Sequence, residues 1–177
     1  MSENLEQHFN DLDQVLKRLT DIGLVLNTKK CHFFKTEVCV SRFQMNKEGS
    51  KPDPERIRTV VNFPTPTNVD ELGTFLGKAG YFRRSIKDVS TVATPLYALS
   101  KSKDYKWTDV EQGAFQTIKD SLVHSKLLAH FNPFAKVYFH TDASSTGLGV
   151  VITQVQDDME KVVAYGSRVL SGPLDFL

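Results

Sequence analysis

The hydrophobic pattern of this chain changes period once, and that change limits most strongly what it can fold into. Apart from a short extended stretch at 24–46, apolar side chains recur every three or four positions as far as residue 125; from residue 136 they recur every second position. The first spacing lines one face of a helix, the second one face of a strand. The expected fold class is α+β: a mainly helical module, a boundary in residues 126–135, and then an antiparallel β-meander.

Local punctuation sharpens the elements. Leu5, Phe9, Leu12, Leu16 and Leu19 form a core-facing stripe over residues 4–22, with Asn4 and Gln7 placed to cap the start and Gly23 to end it. Residues 24–46 predict short strands around Leu24–Leu26, Cys31–Phe34 and Val38–Met45, then a turn at Asn46–Gly49. Pro52-Asp53-Pro54 opens a short helix that must stop before Pro64. Asn68 with Glu71, and Thr108 with Glu111, have capping-box spacing and open two longer helices, with another over about 89–99 between them. Leu72, Phe75, Leu76, Ala79 and Phe82 share a face of the first; Ala114, Phe115, Ile118 and Leu122 share a face of the last. Gly73, Gly77 and Gly80 each cost that first helix about 1 kcal/mol of propensity. They predict close approach by a neighbour, another helix in preference to a nucleic-acid backbone. Strands are expected at 136–142, 147–154 and 161–167, with Gln156-Asp157-Asp158 in the second turn.

At 177 residues the chain has room for one domain or two small ones. A net charge of +1 means that any nucleic-acid affinity must come from a local patch. Cys31 and Cys39 are too few for a disulfide framework, and no apolar run or signal-peptide core addresses the chain to a membrane. An intracellular protein, cytoplasmic or nuclear and not secreted, is expected.

Two features could carry chemistry. Tyr138, His140 and Asp142 share one face of the strand 136–142, and Asp142 stands at its end. Read alone, Asp142 is a strand-end turn former, because hydrolysis of a phosphodiester by two metal ions needs several carboxylates around cations about 3.5–4 Å apart. Asp157, Asp158 and Glu160 read as turn residues, and Asp175 has no structural context. The second feature is basic. Between residues 77 and 106, Lys78, Arg83, Arg84, Lys87, Lys101, Lys103 and Lys106 outnumber Asp88 and Asp104, with Tyr81, Phe82, Tyr97 and Tyr105 among them. Such a stretch is either a solvated helix face or a footprint for phosphates, whose contacts come mainly from Arg, Lys and backbone amides. The histidines and cysteines show no zinc spacing, and no glycine-rich phosphate loop is present.

Nine phrases stand in a telling order. They are Gly23-Leu24-Val25-Leu26-Asn27 with Lys29-Lys30-Cys31-His32-Phe33-Phe34; Gly49 with Pro52-Asp53-Pro54; Phe63-Pro64-Thr65-Pro66-Thr67-Asn68; and Leu72-Gly73-Thr74-Phe75-Leu76-Gly77. Tyr81-Phe82-Arg83-Arg84-Ser85-Ile86, Ala93-Thr94-Pro95-Leu96, Trp107-Thr108 and Thr141-Asp142-Ala143-Ser144 follow, with Ala164-Tyr165-Gly166-Ser167 closing the series. In this order they resemble the pol polyprotein of gypsy-type long-terminal-repeat retrotransposons, over nearly the whole chain.

The resemblance implies three parts. Residues 1–46 would be the C-terminal remnant of a reverse-transcriptase palm, 47–125 a helical thumb and connection, and 126–177 the truncated start of an RNase H-like β-meander. Asp142 would match the first metal-binding carboxylate of the family's RNase H. The other carboxylates would follow the end of the sequence, and the polymerase Tyr-x-Asp-Asp turn would precede Met1. Mg²⁺ is implied for the intact enzyme but not as a stable ligand here. The implied partner is an RNA–DNA hybrid or DNA duplex, gripped weakly through its backbone by Lys78, Arg83, Arg84, Lys87, Lys101 and Lys103. Alone, the chain is expected neither to polymerise nor to cleave, and its uncovered sheet invites self-association. The alternative function is a domesticated, non-catalytic protein-interaction module.

Two departures from the family stand out. Ser41-Arg42-Phe43 replaces a Leu-Gly-aromatic or Leu-Gly-His phrase on the hairpin that holds the primer end, and Arg42 is not expected to allow the close backbone approach that a glycine there gives the primer. After Ser171 the residues Gly172–Leu177 leave the pattern.

Overall fold

The computed structural model describes residues 4–144 and 147–170. The expectations for Asp175 and for the departure at Gly172–Leu177 lie outside them. The chain forms two compact units, Met1–Lys35 and Thr36–Leu177. Among the described residues no helix is long and apolar enough to cross a membrane.

In the first unit, helix α1 covers Leu5–Asp21, and Asn4 caps it by accepting the Gln7 N–H at 2.8 Å. It ends as Gly23 predicts. Gly23 turns left-handed at φ +77°, its N–H bonds to the Thr20 carbonyl, and the Leu24 N–H reaches back to the Leu19 carbonyl, both at 2.9 Å. The stripe is only partly covered: no residue of α1 is fully buried, and Leu5 and Phe9 are 66% and 55% exposed. A unit of this size encloses too little to bury a helix face. The strands expected at Leu24–Leu26 and Cys31–Phe34 do not form. A strand needs a ladder partner; instead the Asn27 side chain accepts the Lys29 N–H and starts a 3-10 turn at Thr28–Lys30. Phe34 then packs its ring against His8 and Phe9.

The second unit opens with a small meander, β1 (Glu37–Val40), β2 (Phe43–Asn46) and β3 (Gly49–Pro52), in the order β1-β2-β3. The run Val38–Met45 is thus two strands and not one, broken by Ser41 and Arg42, both at positive φ as a two-residue hairpin turn requires. Asn46 shapes the next turn by accepting the Glu48 and Gly49 N–H groups. Ser50 and Leu128 exchange two backbone hydrogen bonds of 2.8 Å and so tie this sheet to the segment before the second one.

Helix α2 (Pro54–Val61) starts as predicted, Asp53 capping the Glu55 N–H. Helix α3 (Val69–Gly80) has Asn68 as its cap, but Glu71 reaches Thr67 (N–H 2.7 Å, hydroxyl 2.9 Å) instead of Asn68. The Thr67 bonds hold the Glu71 carboxyl below the ordinary glutamate range. After a 3-10 turn at Arg83–Ser85, the helix expected at 89–99 divides into α4 (Val89–Val92) and α5 (Thr94–Ser100), since Pro95 has no N–H to continue the first. Helix α6 (Asp109–Val123) begins in the predicted Thr108–Glu111 capping box. Leu72, Phe75, Leu96, Phe115, Ile118 and Leu122 form the core of these helices, with the Phe75 and Phe115 rings 4.5 Å apart. Phe82 and Ile86, beyond the end of α3, close it.

The second sheet is the expected meander: β4 (Val137–Ala143), β5 (Gly147–Gln156) and β6 (Met159–Val169), in the order β4-β5-β6. Asp157 and Asp158 make its tight turn at φ +53° and +58°. Glu160 is not a turn residue: it lies in β6, because the turn needs only two positions. Gln154, fully buried, is satisfied by the Asn132 N–H and carbonyl at 2.8 and 2.7 Å, which anchors the connection from the helices. The Ser90 N–H of α4 donates to the Ser167 hydroxyl of β6 at 2.9 Å. Among the described residues β4 has one paired side and one free edge.

Candidate nucleic-acid interface

Helix α3 has two unlike faces. Leu72, Phe75, Leu76 and Ala79 are buried, whereas Gly73 and Gly77, one turn apart, lie on the exposed side. A Cβ added at Gly73, Gly77 or Gly80 would meet nothing within 4 Å. The expectation that another helix approaches these glycines is therefore overturned. Their face is open, because the helices that pack on α3 do so through its apolar side.

Tyr81 extends the line of Gly73 and Gly77 by one more turn and remains 43% exposed. Its hydroxyl donates to the Ser41 carbonyl at 2.5 Å, and its ring stacks on Phe43 with centroids 6.1 Å apart. The Arg42 guanidinium lies 4.7 Å over the same ring. Arg42 sits in the left-handed region at φ +70°. The hairpin tip and the end of α3 thus form one surface.

The six predicted basic residues fall into two groups. Lys78 lies in the last turn of α3 with its ammonium 4.8 Å above the Phe63 ring; Arg83 and Arg84 share the 3-10 turn, and Lys87 follows it. Lys101 caps the end of α5 and Lys103 lies in the loop beyond. All but the half-buried Lys78 are exposed, and among the described residues none joins an ion pair. Unpaired cations on a solvated surface are available to phosphates. Lys119, not singled out in the sequence, donates to the Phe63 carbonyl at 3.0 Å and serves structure.

Asp142 is exposed on β4, directly opposite Gly149 of β5. It borders a cavity of ≈ 590 Å³ with Thr141, Ala143, Leu148 and Arg168. Asp88, which no sequence signal connects to this strand, places its carboxylate Oδ1 2.7 Å from where a Cβ on Gly149 would stand. Asp142 offers an oxygen donor of the kind Mg²⁺ takes. Among the described residues, no three His, Cys, Asp or Glu side chains gather closely enough to hold a metal ion. His140, on the same face as Asp142, is engaged elsewhere: its Nε2 lies 2.7 Å from Glu160 and 3.0 Å from the Thr153 hydroxyl. Bonds from Thr153 and then His140 hold the Glu160 carboxyl below its ordinary range. This group fastens the edge strand β4 across β5 to β6.

A small sheet, a helical core and a second antiparallel meander in this order define the fold of a reverse transcriptase's later part running into RNase H. The foamy viral protease-reverse transcriptase has this fold. Its complex with double-stranded DNA matches at a TM-score of 0.81 and 24% identity, covering 97% of this chain and 30% of that one. Its complex with an RNA/DNA hybrid matches at a TM-score of 0.80, also at 24% identity, covering 97% of this chain and 24% of that one. Residues 107–173 match the family described as the RNase H-like domain found in reverse transcriptase. Over 158 residues, 89% of its length, the chain is 33% identical to the Transposon Tf2-3 and Tf2-4 polyproteins of Schizosaccharomyces pombe, and it spans 12% of their length. The chain belongs with the pol polyproteins of gypsy-type long-terminal-repeat retrotransposons, as a segment of their reverse transcriptase/RNase H region.

Proposed function

We propose that this chain is a duplex-binding segment of a retrotransposon reverse transcriptase. In this reading residues 1–46 are the end of the palm, 47–125 the thumb and connection, and 126–177 the start of the RNase H domain. The chain grips an RNA–DNA hybrid or DNA duplex through its backbone and has no catalytic activity by itself. The observation that carries the reading is the open glycine face of α3, which leads to the exposed Tyr81 and the unpaired Arg83 and Arg84. A helix side without Cβ atoms lets a phosphodiester backbone approach its main chain closely. The complexes of the foamy viral enzyme with DNA and with RNA/DNA hybrid support the choice of partner.

The test is a titration of labelled RNA–DNA hybrid in Mg²⁺ at two salt concentrations. Binding should weaken with salt and leave the substrate intact. On B-form DNA, four phosphate contacts would give a slope of log affinity against log salt of roughly −3.6. Reversing both charges, Arg83→Glu with Arg84→Glu, should lower affinity severalfold. Salt-independent behaviour would instead fit a protein-interaction module, and cleavage of the hybrid would overturn the inactive reading.

A further inference from the structure

Strand β4 turns an orderly row of main-chain groups to its free edge. At its two ends the Val155 N–H donates to the Lys136 carbonyl at 3.4 Å and the Ser144 N–H to the Gly147 carbonyl at 2.9 Å, so positions 136 and 144 direct their main-chain groups at β5. Between them the register runs without a bulge from Val137 opposite Gln154 to Ala143 opposite Leu148. Main-chain direction alternates along a strand, so Tyr138, His140 and Asp142 also bond toward β5, whereas Val137, Phe139, Thr141 and Ala143 turn their N–H and C=O groups outward. Among the described residues no strand lies beside them. An edge of this kind is a template for another strand.

The side chains along this edge are complementary to themselves. Lys136 and Asp142 are both exposed and lie on one face of the strand, and among the described residues neither joins an ion pair. The Lys136 ammonium lies 4.9 Å over the Tyr138 ring, part-way along that face. Two β4 strands can run antiparallel about a two-fold axis at Phe139. Phe139 then faces its own copy, Val137 faces Thr141, and Lys136 of each copy faces Asp142 of the other. The outward-turned residues are the ones that exchange hydrogen bonds in this register, and Lys136 and Asp142 meet at a position between them, where side chains come closest. Moving the axis to His140 or Thr141 keeps the main-chain bonds but takes Asp142 away from Lys136. Phe139, 67% exposed and opposite Ile152 of β5, is covered by its copy. We propose that two copies of this chain join β4 to β4, antiparallel around Phe139, into one continuous sheet, with Lys136 of each copy paired to Asp142 of the other.

Sedimentation velocity on the full chain, from about 1 μM to about 100 μM, should show a monomer passing into a discrete dimer. Lys136→Glu alone and Asp142→Lys alone each set like charges opposite one another twice, once on either side of the axis, and should weaken dimerisation about tenfold. The two substitutions together restore both pairs in the opposite sense and should return the parent's Kd. Both side chains are exposed, so at concentrations where the parent is monomeric all three variants should keep its melting temperature. A parent chain still monomeric at about 100 μM overturns the inference. Association of any size that ignores the single reversals, or that the double substitution does not recover, overturns it as well.

Discussion

Gly49 shows how far apart in sequence the cause of a residue's identity can lie. It closes the β2–β3 turn, which the run Asn46–Gly49 already announced. What the turn chemistry does not reveal is that a Cβ here would stand 2.2 Å from the Leu128 carbonyl oxygen and 2.9 Å from its carbon. Both are backbone atoms, held by the paired Ser50–Leu128 hydrogen bonds, and neither can step aside as a side-chain tip would. Gly49→Ala should therefore destabilise the second unit by about 1–3 kcal/mol, the usual cost of forcing an extra carbon into a packed site. A lower urea midpoint at unchanged slope would agree; an unchanged midpoint would mean that residues 127–130 move away without cost. Asp88 is a second case. Its approach to Gly149 joins residues 61 positions apart, and no local pattern encodes it.

Among the elements, those whose ends carry their own chemistry were the most legible. The caps at Asn4, Asp53, Asn68 and Thr108 form, and the helices behind them start where they should. The extended runs at Leu24–Leu26 and Cys31–Phe34 failed for the converse reason, since a strand is defined by a partner that a short apolar run does not specify. Helix α3 gives a prediction in which stability and binding part company. Ala at positions 73 and 77 enters open space, so Gly73→Ala and Gly77→Ala should each stabilise the helix by about 1 kcal/mol. If the open face is the duplex track, the same methyl groups hold the backbone away and affinity should fall severalfold. A higher melting temperature with weaker hybrid binding is the expected pair of results. A higher melting temperature with unchanged binding would place the duplex on some other face.

The candidate site was legible residue by residue but not as a surface. Arg83, Arg84 and Lys78 stood out by charge, whereas the pairing of Tyr81 with Arg42 crosses 39 positions and appears only once the hairpin folds against α3. The boundary expected at 126–135 raises a related question, whether helices and second sheet are separable. The contacts argue that they fold together. The Ser90 N–H is satisfied by Ser167, a Cβ on Gly147 would come within 2.9 Å of the Thr91 hydroxyl, and Leu128 pairs with Ser50. Trp107 reports on the helical side: its ring packs edge-on against the Phe115 ring at 5.7 Å, and its N–H donates to Gln112 at 3.0 Å. Urea unfolding followed by Trp107 fluorescence should then share one midpoint with the loss of hydrogen-exchange protection in β5 and β6, as a single cooperative transition requires. Two separated midpoints would mean that the Ser90–Ser167 and Ser50–Leu128 bonds are too weak to couple the parts, and that the meander unfolds on its own.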